Sequence, residues 1–173
     1  MKIHLTLGAL ALAIALPATA SAQALGVSVN YDTEFEDPGI GANVTFHTGG
    51  VVDNSRVAAD LKYWLVGEGG DYFTGNVDGQ YLWFRGPQAL GYGLIGLNLS
   101  VVSFEADFVD DIVDLGINLG AGGEYTIAPN VALYGEAKLL LSLGDIDSRI
   151  IAGGGVRFYF GGGSGGELDL SDM

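Results

Sequence analysis

The sequence predicts an all-β chain, an eight-stranded antiparallel up-and-down barrel that crosses a membrane, and three observations lead there. Apolar and polar residues alternate with a period of two through eight separate stretches. The apolar side of each stretch carries no charge at its centre, while the opposite side is thin, rich in Gly and dotted with charges of both signs. Acidic residues crowd into every second connection between the stretches.

The chain opens on a segment that does not belong to the fold. "MK" gives a positive start, "IHLTLGALALAIAL" an apolar run and "PATASA" a small-residue cleavage site. That layout is a secretory signal peptide over residues 1–22, cleaved after Ala22. Residues 23–160 are then the barrel and 161–173 a Gly/Ser-rich, acidic tail. No later run offers 18 consecutive apolar residues, so no membrane helix is expected. The chain has no cysteine, and an exported protein without disulfides must draw its stability from its core or from a membrane. Its formal net charge is −14, which disfavours nucleic acid as a partner, because phosphate binding needs clusters of Lys and Arg.

The strands follow in order. The first five are expected near 25–32, 39–48, 56–66, 72–84 and 90–103, with apolar sides such as Leu25/Val27/Val29/Tyr31 and Ile95/Leu97/Leu99/Val101. The stretch 113–127, "VDLGINLGAGGEYTI", sets Val113, Leu115, Ile117 and Leu119 against Asp114, Gly116, Asn118 and Gly120. In 131–143, "VALYGEAKLLLSL", Val131, Leu133, Ala137, Leu139 and Leu141 oppose Tyr134, Glu136 and Lys138. The eighth strand, 150–160, alternates through Ile150, Ala152, Val156, Phe158 and Phe160. Each is long enough for a tilted transmembrane strand, which needs roughly 9–11 residues.

Connections 32–39, 67–71, 104–114 and 144–148 carry the acids, and 48–55, 85–91 and 128–130 carry few. In an up-and-down barrel these two sets emerge at opposite ends, so the excess negative charge collects on one rim. The Gly-rich polar side suits the crowded lumen of an eight-stranded barrel, which side chains just fill. Asp60, Lys62, Asp78, Glu124, Glu136, Lys138 and Arg157 all fall on that side. A buried charge is costly unless paired, so these seven are expected to form a lumen network in which Lys62, Lys138 and Arg157 neutralise the acids. Tyr31, Tyr63, Phe73 and Phe104 fall near the acidic rim. Phe46, Tyr81, Trp83, Tyr92, Tyr125, Phe158 and Phe160 fall near the other end. Two aromatic girdles are the expected mark of a membrane barrel.

The signal peptide, the segment "LGINLGAGGEYTIAPNVALYGEAKL" with its tight "APN" turn, and the closing "GGGVRFYF" resemble the small eight-stranded bacterial outer-membrane barrels, such as the OmpA transmembrane domain and OmpX. The resemblance covers residues 25–160. It implies an outer-membrane location, acidic loops facing outside, short turns facing the periplasm, and an assembly machinery that reads the last strand through Phe158 and Phe160. In that family an aromatic usually ends the chain, so the tail "GGGSGGELDLSDM" is a departure; its composition is that of a flexible linker carrying acids.

Three features invite a chemical reading. His47 is the only histidine after the signal peptide, so neither a zinc site nor a Ser-His-Asp arrangement has partners, and a satisfied lumen residue is expected there. "GYGLIG" (91–96) matches a dinucleotide fingerprint, but a strand follows where a helix is required. "DFVDDIVD" (107–114) concentrates Asp107, Asp110, Asp111 and Asp114, a candidate loop for Ca²⁺ or Mg²⁺ whose spacing does not match an EF-hand. The mutually repelling, solvated loop is the simpler reading.

No cofactor is expected. The function that follows is a non-enzymatic integral outer-membrane barrel, monomeric, in contact with outer-membrane lipids, with a structural or surface-interaction role and a lumen filled by side chains. A small-solute channel or a lipid-modifying barrel is the alternative, and a soluble periplasmic ligand-binding barrel a third.

Overall fold

A computed structural model describes residues 24–48, 54–66, 70–104, 111–144 and 146–160. The signal peptide, the tail, Asp107 and Asp110 lie outside the described residues. The strands are β1 (Ala24–Asp32), β2 (Pro38–His47), β3 (Ser55–Trp64), β4 (Gly70–Arg85), β5 (Ala89–Phe104), β6 (Ile112–Ala128), β7 (Val131–Ser142) and β8 (Arg149–Tyr159). Each pairs antiparallel with the next, and β8 pairs antiparallel with β1 to close the barrel. Closure leaves no free sheet edge, which is what permits strands to stand in a medium without hydrogen-bonding partners.

The period-two pattern produces this wall because a one-residue slip would turn every apolar side chain inward. Tyr31↔Ala152, Val29↔Gly154 and Val27↔Val156 hold the β1–β8 seam in register. Val29, Leu97 and Trp83 stand outward at 69%, 67% and 65% exposure, among a full circle of outward Val, Leu, Ile and aromatic side chains. The buried side chains are mostly the inverse, Asn43, Arg56, Lys62, Asn76, Asp78, Asn98, Asn118, Glu124, Lys138, Arg149 and Arg157, with two small apolar clusters around Trp64 and Tyr92. A water-soluble protein has the opposite distribution.

Close packing inside explains glycines on the inward side. A Cβ at Gly96 would collide with the Asp78 carboxylate, and one at Gly122 would meet the Tyr92 ring 2.6 Å away. The lumen keeps a polar cavity of about 20 Å³ lined by Asn43, Asp60, Lys62, Glu136, Lys138 and Arg157 among others, room for about one water.

Three expectations need correction. Tyr92 does not join the outer girdle; it is fully buried and faces the lumen beside Leu82 and Leu94, because its place in β5 has the inward parity. His47 is exposed at the end of β2 instead of packed in the lumen, since the strand ends on it before the wall can cover it. Asp114 is not a loop residue: it is the third residue of β6, buried, and accepts a hydrogen bond from Ser142 Oγ at 2.7 Å. A register shift between Leu82 and Phe84 adds a feature that strict alternation hides, turning Trp83 and Phe84 outward together with ring centroids 6.2 Å apart.

Candidate functional site: the charged lumen

The barrel's chemistry is concentrated inside it. Lys138 rises from β7 into the centre of the lumen, where its Nζ lies 2.8 Å from Asp60 Oδ2 on β3 and 3.1 Å from Glu136 Oε1 on β7. It also pairs with Asp78 on β4. Lys62, two residues along from Asp60, reaches back to Asp60 Oδ1. Oxygens of Asp60, Asp78 and Glu136 lie within 4.8 Å of one another, close enough to share a metal ion, but the Lys138 ammonium is seated among them. It acts as a tethered cation that draws three carboxylates from three strands together.

A second cluster lies toward the short-turn end. Glu124 on β6 pairs with both Arg56 on β3 and Arg157 on β8, and accepts a hydrogen bond from Tyr159. Arg56 Nε donates to Gln80 Oε1 at 2.6 Å, and its guanidinium sits 4.8 Å from the centre of the Tyr92 ring. Arg157 lies 4.5 Å from the Tyr134 ring centre and donates to Asn43 Oδ1 at 3.2 and 3.3 Å. Tyr92 OH and Gln80 Nε2 both reach Glu136 Oε2, at 3.0 and 3.5 Å, and so connect this cluster with the Lys138 centre.

A third cluster lies toward the long-loop end. Arg149 Nε, at the start of β8, is 2.8 Å from Asp32 Oδ2 at the end of β1. Arg149 also donates to Tyr72 OH and, at 3.0 Å, to Ser100 Oγ. Between this cluster and the centre runs an amide ladder. Ser100 Oγ donates to Asn98 Oδ1, Asn98 Nδ2 to Asn76 Oδ1, and Asn76 Nδ2 to Asp60 Oδ1, at 2.8, 2.8 and 2.6 Å. Asn118 Nδ2 donates to Asn76 Oδ1 and to Asp78 Oδ1, each at 2.8 Å. The lumen is threaded from Asp32 to Tyr159 by one connected set of polar contacts, the arrangement that makes buried charge tolerable.

All seven lumen residues expected from the sequence, Asp60, Lys62, Asp78, Glu124, Glu136, Lys138 and Arg157, lie in the first two clusters. Arg56, Arg149, Asp32 and the Asn ladder join them without having been singled out. Arg56 shares the parity of Asp60 and Lys62 and was legible on that ground; Arg149 and Asp32 stand at strand ends, where parity has no flank to lean on. Phe158 is exposed on the outer wall near the end of β8, and Phe160 is exposed just beyond it.

Five of the six Lys and Arg beyond the signal peptide are thus inside the barrel, and the sixth, Arg85, is exposed at the short-turn end. Among the described residues the exposed acids Glu34, Glu36, Asp71, Asp111 and Asp147 all stand at the long-loop end. Outer surface, lumen and rim together match one known architecture. The fold is that of the small bacterial outer-membrane β-barrels. The N-terminal β-barrel domain of Pseudomonas aeruginosa OprF superposes with a TM-score of 0.61 at 18% identity, covering 80% of this chain and 98% of that one. Neisserial surface protein A gives 0.56 at 16%, covering 80% and 96%. Ail of Yersinia pestis, solved with the heparin analogue sucrose octasulfate, gives 0.52 at 15%, covering 79% and 97%. No protein-family model and no curated protein matches the sequence. Identities this low establish the fold, and what the barrel does must be argued from its own residues.

Proposed function

We propose that the chain is an integral outer-membrane β-barrel, monomeric and non-enzymatic, with a structural or surface-interaction role and a short acidic rim turned to the exterior. The observation that carries this reading is the inversion of the molecule: ion pairs and amides make up most of the interior, beside small apolar clusters around Trp64 and Tyr92, while the wall presents apolar side chains outward. In water that wall would drive aggregation; in a bilayer it is the low-energy surface, and burying Lys138 and Glu124 inside spares them the lipid. Aromatic side chains at both ends of the wall, Tyr31 and Tyr63 toward the acidic rim and Tyr81, Trp83, Tyr125 and Phe158 toward the other, suit the two interfaces. Phe158 and Phe160 close the last strand, where an assembly machinery would read it.

The small cavity and the continuous polar chain support a plugged lumen rather than a solute channel. The acidic rim favours neutral or cationic partners and lipids; a polysulfate of the kind bound to Ail would meet repulsion here. The reading as a non-enzyme rests on the lone His47 standing exposed at the end of β2. The test is refolding into liposomes, followed by unheated gel electrophoresis and planar-bilayer recording. A heat-sensitive fast-migrating band, protease resistance of the wall and no sustained large conductance are expected. A monomer that stays soluble without lipid or detergent would overturn the membrane reading, and large stable current steps would replace the plugged barrel by a pore.

A further inference from the structure

We propose that the mouth at the long-loop end is a binding subsite for a neutral or cationic aromatic ring, occupied in this structure by the chain's own Phe35. The proposal rests on the membrane reading only for the orientation of that mouth toward the exterior. An ordered stack descends into the lumen there. Trp64, fully buried, stacks on Tyr72 with ring centroids 5.7 Å apart at 18°. Phe35 meets Tyr72 edge-on at 5.4 Å. The Arg149 guanidinium lies 5.4 Å from the Tyr72 ring centre and 5.5 Å from that of Phe35, so the three groups meet in a triangle at the mouth. Guanidinium and aromatic rings placed this way attract one another, more so where water is thin.

Phe35 differs from the other members of the stack in how it is held. Tyr72, Trp64 and Arg149 project from strands fixed by the barrel ladder. Phe35 sits in the strap 33–37, which lies outside the strands; Thr33 ties one end to Ile150, Asp37 O accepts from Asp32 N at 3.1 Å at the other, and the turn is capped by Asp32 Oδ1, which accepts from Glu34 N and Phe35 N at 3.0 and 3.4 Å. Glu36 in that strap has a φ of 56°, a left-handed conformation that costs a non-glycine residue energy. Phe35 itself is 41% exposed. The ring on the strap is the one that can be exchanged, and the platform beneath it is built into the wall.

The rim fixes the charge of the exchanging ring. Arg149 is already matched by Asp32, so it offers its face to a ring without offering a free cation to an anion. Glu34, Glu36 and Asp71 stand exposed around the mouth. A ring carrying a positive charge gains from them and one carrying a carboxylate is repelled.

The chain has two tryptophans, and Trp83 is on the outer wall, so a Trp83→Phe background makes Trp64 a single reporter beneath the strap. In liposome-inserted full-length protein, Phe35→Ala should increase acrylamide quenching of Trp64 by about twofold or more, as removal of a partial cover predicts. Phenethylamine should reverse that increase in a saturable way. 3-Phenylpropionate should need about three times the concentration or more at low salt, a gap that narrows as salt is raised. 2-Cyclohexylethylamine, with the charge but no aromatic face, should be weaker than phenethylamine. Phe35→Leu keeps apolar bulk on the strap and guards against a folding defect: it should stay fully folded by gel shift and take up phenethylamine with intermediate affinity. A Gly-Phe-Gly peptide amide separates the two sources of a ring: protection by it points to a partner protein's side chain, and protection by phenethylamine alone points to a free small molecule. Trp64 quenching unchanged in Phe35→Ala, or no protection by any aromatic probe in a folded variant, would overturn the subsite. Either outcome leaves the membrane reading intact, since liposome insertion is scored separately.

Discussion

Lys138 and Arg149 are both buried cations in the same lumen, yet they are held in different ways. Lys138 is gripped by carboxylates from β3, β4 and β7 and has no aromatic ring at its side in the contacts it makes. Arg149 has one carboxylate, two aromatic rings and two hydroxyls, and its outermost neighbour comes from a strap. The centre is therefore an electrostatic knot that ties three strands, and the mouth is a cation–π cap with a movable member. A wall that is apolar outside can tolerate both because each charge is paired with at least one carboxylate within.

Removing the knot should cost most. Lys138→Met leaves three carboxylates facing one another, an uncompensated buried charge of the kind that costs about 4 kcal/mol, and urea unfolding in lipid vesicles should show it. Adding Asp78→Asn to that variant should recover part of the loss, because the two sites share one network. If Lys138→Met were neutral, the centre would not be a knot. The outer wall comes next. Leu97→Arg puts a charge on the lipid face and should cost about 3 kcal/mol in bilayers, read from the same unfolding midpoints. An equal tolerance for Arg at Leu97 and at an inward position would erase the distinction between the two faces.

The mouth should respond less than the centre. Arg149→Met exposes a single acid near the water-accessible end, and a loss of about 2 kcal/mol is expected in urea unfolding. A loss as large as that of Lys138→Met would remove the contrast between knot and cap. Smallest of all is the rim: Asp71 accepts a hydrogen bond from Tyr63 OH at 3.0 Å in an exposed setting, so Asp71→Asn should shift stability by less than about 0.5 kcal/mol by equilibrium unfolding.

Most of the wall was legible because lipid on one side and a packed lumen on the other impose alternation on every residue. Strand limits read from the pattern fall within about two residues of those observed, as for 113–127 against Ile112–Ala128. The central cluster was legible for the same reason, since Asp60, Lys62 and Lys138 interrupt an otherwise small inward face. What escaped lies where alternation stops. Arg149 and Asp32 stand at strand ends beside acidic connections, and Phe35 sits in a turn that has no period at all. The bulge at Leu82/Phe84 breaks parity, so the outward pair Trp83–Phe84 could not be read by counting. Tyr92 departs from the girdle because its inward parity, not its aromatic character, decides its side of the wall. The Asn ladder leaves no mark in the charge pattern, because neutral amides carry no charge to balance, although they bridge the charged centre to the mouth.

The central claim is the inversion of inside and outside, and the two tryptophans measure it. Trp83 is 65% exposed on the wall near the short-turn interface, and Trp64 is fully enclosed in the lumen with its Nε1 donating to Thr74 Oγ1 at 3.2 Å. In single-tryptophan variants inserted into vesicles of brominated phosphatidylcholine, Trp83 fluorescence should be strongly quenched, most by bromines placed near the headgroup, while Trp64 is spared at every bromine depth. Quenching of Trp64 equal to that of Trp83, or no quenching of Trp83 in protein that has inserted, would contradict the account.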